Sequence, residues 1–281
     1  METRTIGKRQ VSALGLGAMP MSVREQNDEE RGVATIRRAL EEGVTLIDTA
    51  DAYSTDEASF GHNEALVARA LRESGRDDVL VATKGGHTRV GAEWKLDGSP
   101  AYLQRACRAS LQRLGVDQID LYQHHRPDPQ VPYAETIGAL KELYDEGLIA
   151  AAGLSNADPD QIGEAHGILG DALVAVQNQF SPAFRSSQPE IDLCEKLGLA
   201  FLAWSPLGGM SDAAELGATW RAFAEVAQKH RVSPQQVCLA WELSLSPAVI
   251  PIPGASRPES VTDSAAASAL VLEEEDLARL S

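Results

Sequence analysis

Apolar runs of four to six residues alternate along this chain with longer stretches whose apolar positions recur at helical spacing, the pattern of repeated strand–helix units. Eight runs are found, at residues 14–18, 44–48, 79–83, 119–123, 150–154, 173–177, 200–204 and 249–252. The intervening helices carry their own start and stop signals. Ser99-Pro100, Asp158-Pro159 and Ser233-Pro234 each pair an N-cap oxygen with proline in the first turn, and Gly115 closes the helix that Ser99 opens. Gly43, Gly75, Gly147 and Gly198 sit just past helical patterns, where a left-handed C-cap turns the chain into the next strand. Residues 3–11 read as two short strands around Gly7-Lys8, a hairpin expected to close the floor of a barrel. Eight such units without a linker, repeat or low-complexity stretch predict an α/β fold, a (β/α)8 TIM barrel, as one domain over residues 1–281.

Charge narrows the partners. The formal net charge is −16, with the acids scattered through helices, which argues against nucleic acid or an anionic membrane; an anionic ligand needs a local basic patch. The first residues hold no apolar leader core and no later segment is long enough to span a bilayer, so a cytoplasmic protein is expected. Cys107, Cys194 and Cys238 are odd in number and far apart, the usage of reduced thiols.

In a barrel of this kind the chemistry gathers where strands end and the loops to the helices begin. The second run ends in Asp48, Lys84 follows the third, and the fourth continues through Gln123 into His124 and His125; Tyr53 lies in the loop after Asp48. Singly, each has an ordinary explanation: a packed tyrosine, a solvated lysine, an aspartate capping a turn, a hydrogen-bonded histidine. Together on one face they make a proton-donating set. A phenol titrates near 10, and a neighbouring ammonium is expected to lower that value. Asp48 would hold the lysine charged, and an imidazole opposite would hold a carbonyl oxygen. Such a set lacks a source of two electrons, which implies a hydride-carrying cofactor. A metal-dependent hydrolase built on Asp48, Asp51, His124 and His125 is disfavoured, because adjacent strand residues face opposite ways. Gly15-Leu16-Gly17 lacks the third glycine of a dinucleotide-binding turn.

The strings Ile47-Asp48-Thr49-Ala50 with Tyr53, Val81-Ala82-Thr83-Lys84, Asp120-Leu121-Tyr122-Gln123-His124-His125-Arg126-Pro127, Gly153-Leu154-Ser155-Asn156, Val176-Gln177-Asn178 and Trp204-Ser205-Pro206-Leu207-Gly208 resemble, in order, those of the aldo-keto reductases. The resemblance spans essentially the whole chain. It implies a barrel that uses NADPH, with NADH left open, to reduce aldehydes or ketones through a tetrad at Asp48, Tyr53, Lys84 and a histidine. Aligning Leu-Tyr-Gln-x-His-Arg-Pro puts that histidine at His125, and Asp51 is left as loop structure.

The same resemblance carries the cofactor residues. Ser155, Asn156 and Gln177, with Asp48, match the polar set around the nicotinamide carboxamide, and Trp204 matches the aromatic against its ring. Ser205, Pro206, Leu207 and Gly208 match a loop that meets the pyrophosphate, while Gly17, Ala18 and Met19 border the cofactor at the first strand end. At the adenine end Gly254, Ser256 and Arg257 remain, with Arg257 available to a 2′-phosphate, but Ser260 and Ser264 stand where many relatives carry Arg and Asn. The connection after Leu207, through Gly209, Met210 and Ser211, is short, so the cofactor is expected to be less covered than in long-loop relatives. Met19, Tyr53, Trp94 and His125, with Met21, are expected to form a mostly apolar substrate mouth. A small aromatic or aliphatic aldehyde is the expected substrate, with pyridoxal a related possibility. A nicotinamide-binding sensor with little turnover is the competing function, disfavoured by the intact tetrad. The family implies a monomer.

Overall fold

The structure, a computed structural model, describes residues 1–24, 28–209 and 212–280. A hairpin comes first, β1 (Thr3–Ile6) against β2 (Arg9–Ser12), antiparallel and turned at Gly7 with a φ of +57°. Eight parallel strands follow: β3 (Leu16–Gly17), β4 (Leu46–Asp48), β5 (Leu80–Gly85), β8 (Leu121–His124), β9 (Ala152–Ser155), β10 (Leu173–Gln179), β11 (Ala200–Trp204) and β12 (Val249–Pro251). The sheet closes on itself through a parallel bridge from Gly17 to Gly254, with Gly15 and Gly17 donating to the carbonyls of Pro251 and Pro253.

The helices outside this cylinder are α1 (Glu29–Glu41), α2 (His62–Ser74), α3 (Pro100–Leu114), α4 (Tyr133–Asp145), α5 (Pro159–Leu169), α6 (Gln188–Leu197), α7 (Leu216–Thr219), α8 (Arg221–His230), α9 (Pro234–Leu245), α10 (Pro258–Ala266) and α11 (Glu274–Leu280). Ser99 accepts from the Tyr102 N–H, Asp158 and Gln161 form a reciprocal capping box, and Ser233 accepts from the Gln236 N–H, as the proline signals predict. Gly43, Gly75, Gly115, Gly147 and Gly198 all adopt positive φ at helix ends.

The barrel interior is filled from below. Ile6 and Val11 of the hairpin join Leu46, Leu80, Leu121, Val174, Ala200 and Ile250 in one buried cluster, so the hairpin does plug the floor. Polar side chains gather at the other end, where the strands stop. The loop after β5 differs from expectation: it folds into a second hairpin, β6 (His87–Val90) paired with β7 (Glu93–Leu96), that stands over the strand ends. Its pattern, His-Thr-Arg-Val and Glu-Trp-Lys-Leu, has too few apolar positions to announce a strand from sequence.

Among the described residues, no helix is long and apolar enough to cross a membrane. Cys107, Cys194 and Cys238 are free and buried. Burial pushes the thiols of Cys107 and Cys194 up to about 12.

Candidate active site

Parallel pairing puts the strand ends in register, and the register assembles the polar cluster. Asp48 lies opposite Ala82 and Lys84 opposite Gln123, so the aspartate and the lysine end on adjacent strands at nearly the same height. Lys84 is fully buried. Its ammonium has three protons and three acceptors: Asp48 Oδ2 at 2.7 Å, the Thr49 carbonyl at 2.8 Å and the Tyr53 hydroxyl at 3.0 Å. The other Asp48 oxygen accepts from Gln177 Nε2 at 2.7 Å and from Gln123 Nε2 at 3.5 Å. A charged pair this deep persists because its remaining hydrogen-bonding capacity is met.

Above the pair stands Tyr53, 7 % exposed, with the His125 ring nearly perpendicular to it at 5.6 Å between centroids. His125 is the residue just past β8; its N–H donates to the Gly85 carbonyl and its own carbonyl accepts from Asn156 Nδ2. Alternation turns His124 the other way, against Gly98 and Tyr133 and outside the cleft. The structure therefore brings Asp48, Tyr53, Lys84 and His125 together, and leaves out His124.

The electrostatics correct one expectation. Burial pushes the Tyr53 phenol above its ordinary value of 10.0, and Lys84 beside it pulls back only part of that rise. Burial alone would lower Lys84, yet Asp48 and Tyr53 more than compensate, and its ammonium is held above its ordinary range. His125 is pushed well below 6.5, first by burial and then by the Lys84 charge, so it sits neutral. Asp51 lies in the loop, completely buried; among the described residues neither carboxyl oxygen has a hydrogen-bond partner, and burial with the nearby Glu64 pushes its pKa well up. Glu64 itself is bonded by Thr83 and Arg113.

A cleft of about 890 Å³ opens over this cluster. Its floor and walls include Gly17, Met19, Asp48, Tyr53, Trp94, His125, Ser155, Asn156 and Gln177, and its far arm includes Trp204, Ser205, Pro206, Leu207, Gly254, Ser256 and Arg257. Two expected cofactor residues lie off it. Ala18 is wholly buried with its N–H given to the Asp48 carbonyl, and the Gly208 N–H is spent on the Ser205 carbonyl at 2.9 Å. Met21 is buried and does not line the cleft. Met210 and Ser211, in the short connection after β11, lie outside the described residues.

Asn156 and Ser205, both on the cleft, hold φ of +58° and +51°. Backbone in this region costs a non-glycine residue about 1 kcal/mol or more, and such costs concentrate at ligand sites. Lining residues that the sequence did not single out include Pro20, Arg24, Arg31 and His87, beside Arg126 from the His125 string. The two arginines near α1 carry no local pattern that separates them from surface charge; His87, three positions after Lys84, was legible as a further polar group past a strand end.

The model of the Aldo/keto reductase family matches residues 13–281. The chain belongs to that family. A probable aldo-keto reductase of Glycine max is 36 % identical over 297 residues, covering 95 % of this chain and 84 % of that one. An uncharacterized oxidoreductase of Schizosaccharomyces pombe is 34 % identical over 99 % of this chain and 88 % of its own. Among solved structures, a glycerol dehydrogenase from Gluconobacter oxydans superposes with a TM-score of 0.85 at 28 % identity, covering 99 % of this chain and 93 % of that one. An aldo/keto reductase from Klebsiella pneumoniae in complex with NADP and acetate superposes at 0.84 with 29 % identity, over 99 % and 93 % of the two chains. Family membership makes the present chain an NAD(P)H-dependent oxidoreductase of the (β/α)8 barrel type.

Proposed function

We propose that the chain reduces a small aldehyde or ketone to the alcohol with NADPH, and that Tyr53 delivers the proton. The observation that carries this is the saturation of Lys84: its third N–H donates to the Tyr53 hydroxyl, so that oxygen is an acceptor on the lysine side and its own proton is left for the cleft. A carbonyl oxygen seated between Tyr53 and the neutral His125 meets two donors, the phenol and an imidazole N–H. As its oxygen gains charge the phenol gives up its proton, and the Lys84 ammonium stabilises the phenolate left behind. Asp48 keeps that ammonium charged and aimed.

The residues present suit the cofactor. When bound, NADPH supplies the hydride that reduces the carbonyl carbon. Gln177 has given its amide N–H to Asp48, so its oxygen is left to accept from a carboxamide, and Ser155 beside it lines the same cleft. Asn156 is committed differently, bracing the His125 carbonyl and accepting from Arg126 at 3.0 Å. The Trp204 indole forms part of the wall where a nicotinamide ring would lie. At the adenine end Arg257 donates to Ser260 at 3.0 Å, and Arg24 and Arg31 line the same cleft, next to Ser256. Among the described residues none of these three arginines has a carboxylate partner, although the chain carries a net −16. On this reading Arg24, Arg31 and Arg257, which share the lining with Asp28, Glu259 and Asp263, supply the positive charge for a 2′-phosphate where serines stand at 260 and 264.

The partner on this account is a small carbonyl compound, taken by a single-domain monomer in the cytoplasm. The test is direct. Purified protein with NADPH and 4-nitrobenzaldehyde should lose reduced-nicotinamide absorbance. Quenching of tryptophan fluorescence by NADPH with no turnover on any aldehyde would support a binding protein instead.

A further inference from the structure

We propose that His87 is a fixed hydrogen-bond acceptor for the substrate, which selects carbonyl compounds that carry a hydroxyl on the carbon next to the carbonyl. This rests on the carbonyl-reducing function above and names the substrate class of that site.

The His87 ring is wedged between two others on the cleft wall. Its centroid is 4.3 Å from that of His125, at 87°, and 5.2 Å from that of Trp94, at 75°. Across the hairpin, His87 Nδ1 lies 3.2 Å from the Lys95 carbonyl. A carbonyl oxygen only accepts, so Nδ1 carries the ring proton and Nε2 is left as a lone pair. Burial pushes the ring down to about 4, so it stays neutral and Nε2 keeps that lone pair at neutral pH. Among the described residues Nε2 has no protein partner and is not one of the buried atoms that lack one, and the ring that carries it lines the cleft.

The acceptor is held still with respect to the phenol. Arg89, two residues along the hairpin, donates to the carbonyls of Ala52 and Ser54 on either side of Tyr53, and its guanidinium lies 3.4 Å over the Trp94 ring. The Tyr102 hydroxyl donates to the His87 carbonyl at 3.0 Å. Hairpin and Tyr53 loop are thus bolted into one wall. A carbonyl oxygen placed at Tyr53 and His125 puts its neighbouring carbon beside the next ring along, that of His87. A hydroxyl there donates to Nε2; an ether or carboxylate oxygen offers only lone pairs and is disfavoured.

Acetophenone, α-hydroxyacetophenone and α-methoxyacetophenone separate the possibilities, assayed with NADPH on the full chain and on His87→Phe, which keeps a ring between His125 and Trp94 but removes the acceptor. For the wild type, kcat/KM for the hydroxy ketone should exceed the other two by about 3- to 10-fold, expressed in KM. In His87→Phe the ratio should fall to near one, and His87→Gln, with an amide oxygen, should restore part of it. The same order should appear without turnover, as the affinity of Tyr53→Phe protein for the three ketones by tryptophan fluorescence. Turnover of all three with no preference for the hydroxy ketone, or a preference that survives in His87→Phe, overturns the assignment of His87. Turnover of none of them, nor of 4-nitrobenzaldehyde, removes the carbonyl-reducing function itself, and the assignment with it.

Discussion

Lys84 reaches the Tyr53 hydroxyl from inside the barrel, at 3.0 Å, while the His125 ring stands nearly perpendicular to the Tyr53 ring on the cleft side, 5.6 Å between centroids. The phenol therefore has a cation behind it and a neutral imidazole ahead of it. Replacing Tyr53 by Phe removes the proton without disturbing the cleft. Turnover should drop by about 100- to 10,000-fold, while quenching of tryptophan fluorescence by NADPH stays within about twofold. Near-wild-type turnover in Tyr53→Phe would reassign the donor.

Because burial outweighs the lysine, Tyr53 holds its proton throughout the neutral range. A group with a raised pKa stays protonated below that value, so reductive kcat/KM should be level from about pH 6 to 9 and decline only above about 10. Oxidation of the alcohol needs the phenolate and should instead climb with pH. A reductive profile that halves near pH 7 would point to a different acid.

The Lys84–Asp48 pair is buried, and removing one partner strands the other. Lys84→Met should cost about 3–5 kcal/mol in urea unfolding, because Asp48 would keep only its glutamine donors. The double variant Asp48→Asn/Lys84→Met should recover much of that stability and none of the turnover. A loss in the double variant equal to the sum of the two single-variant losses would show that the two charges do not depend on each other.

His124 and His125 separate by function and by acid response. His125→Ala should lose most turnover and His124→Ala little; the reverse would exchange their roles. His124 is pushed down to about 4, chiefly by burial, from 6.5. The unfolded chain takes up a proton in that interval and the folded chain does not, so stability falls as pH drops from 6.5 toward 4. At 1.36 kcal/mol per unit the loss approaches about 3 kcal/mol. Urea midpoints measured across that window should show a shallower slope in His124→Phe.

Arg31→Ala and Arg257→Ala should each weaken NADPH binding by about tenfold at low salt and leave NADH binding near its starting value, since only NADPH carries the 2′-phosphate. Titration calorimetry with both nucleotides checks this. Equal weakening of both would place the arginines on the pyrophosphate.

What could be foreseen depended on whether residue types carried their own geometry. Residues 200–204 were bounded correctly as a strand, and the others to within about two positions, because buried parallel strands read as apolar runs between capped helices. Asp48, Lys84 and His125 stood out because each is a polar residue where an apolar run stops. The burial of Asp51 was hidden, since it depends on α2 and α3 closing over the loop and supplying Glu64 and Arg113. The fate of the Gly208 amide was hidden as well, being decided by a turn back to Ser205. The direction of the Tyr53 shift required knowing how deeply the ring sits; proximity of a lysine alone gave the wrong sign.

The barrel is joined at a narrow place. Its first strand is two residues long, and a Cβ on Gly17 would come within 2.9 Å of the Ile252 carbonyl, so two backbones meet there with no side chain between them. Gly17, Met19 and Pro20 on one side of this join, and Pro253, Gly254 and Ser256 on the other, are also walls of the cleft. Any molecule lying in that arm spans the join and acts as a stitch, so that opening the cylinder and emptying the site become one event.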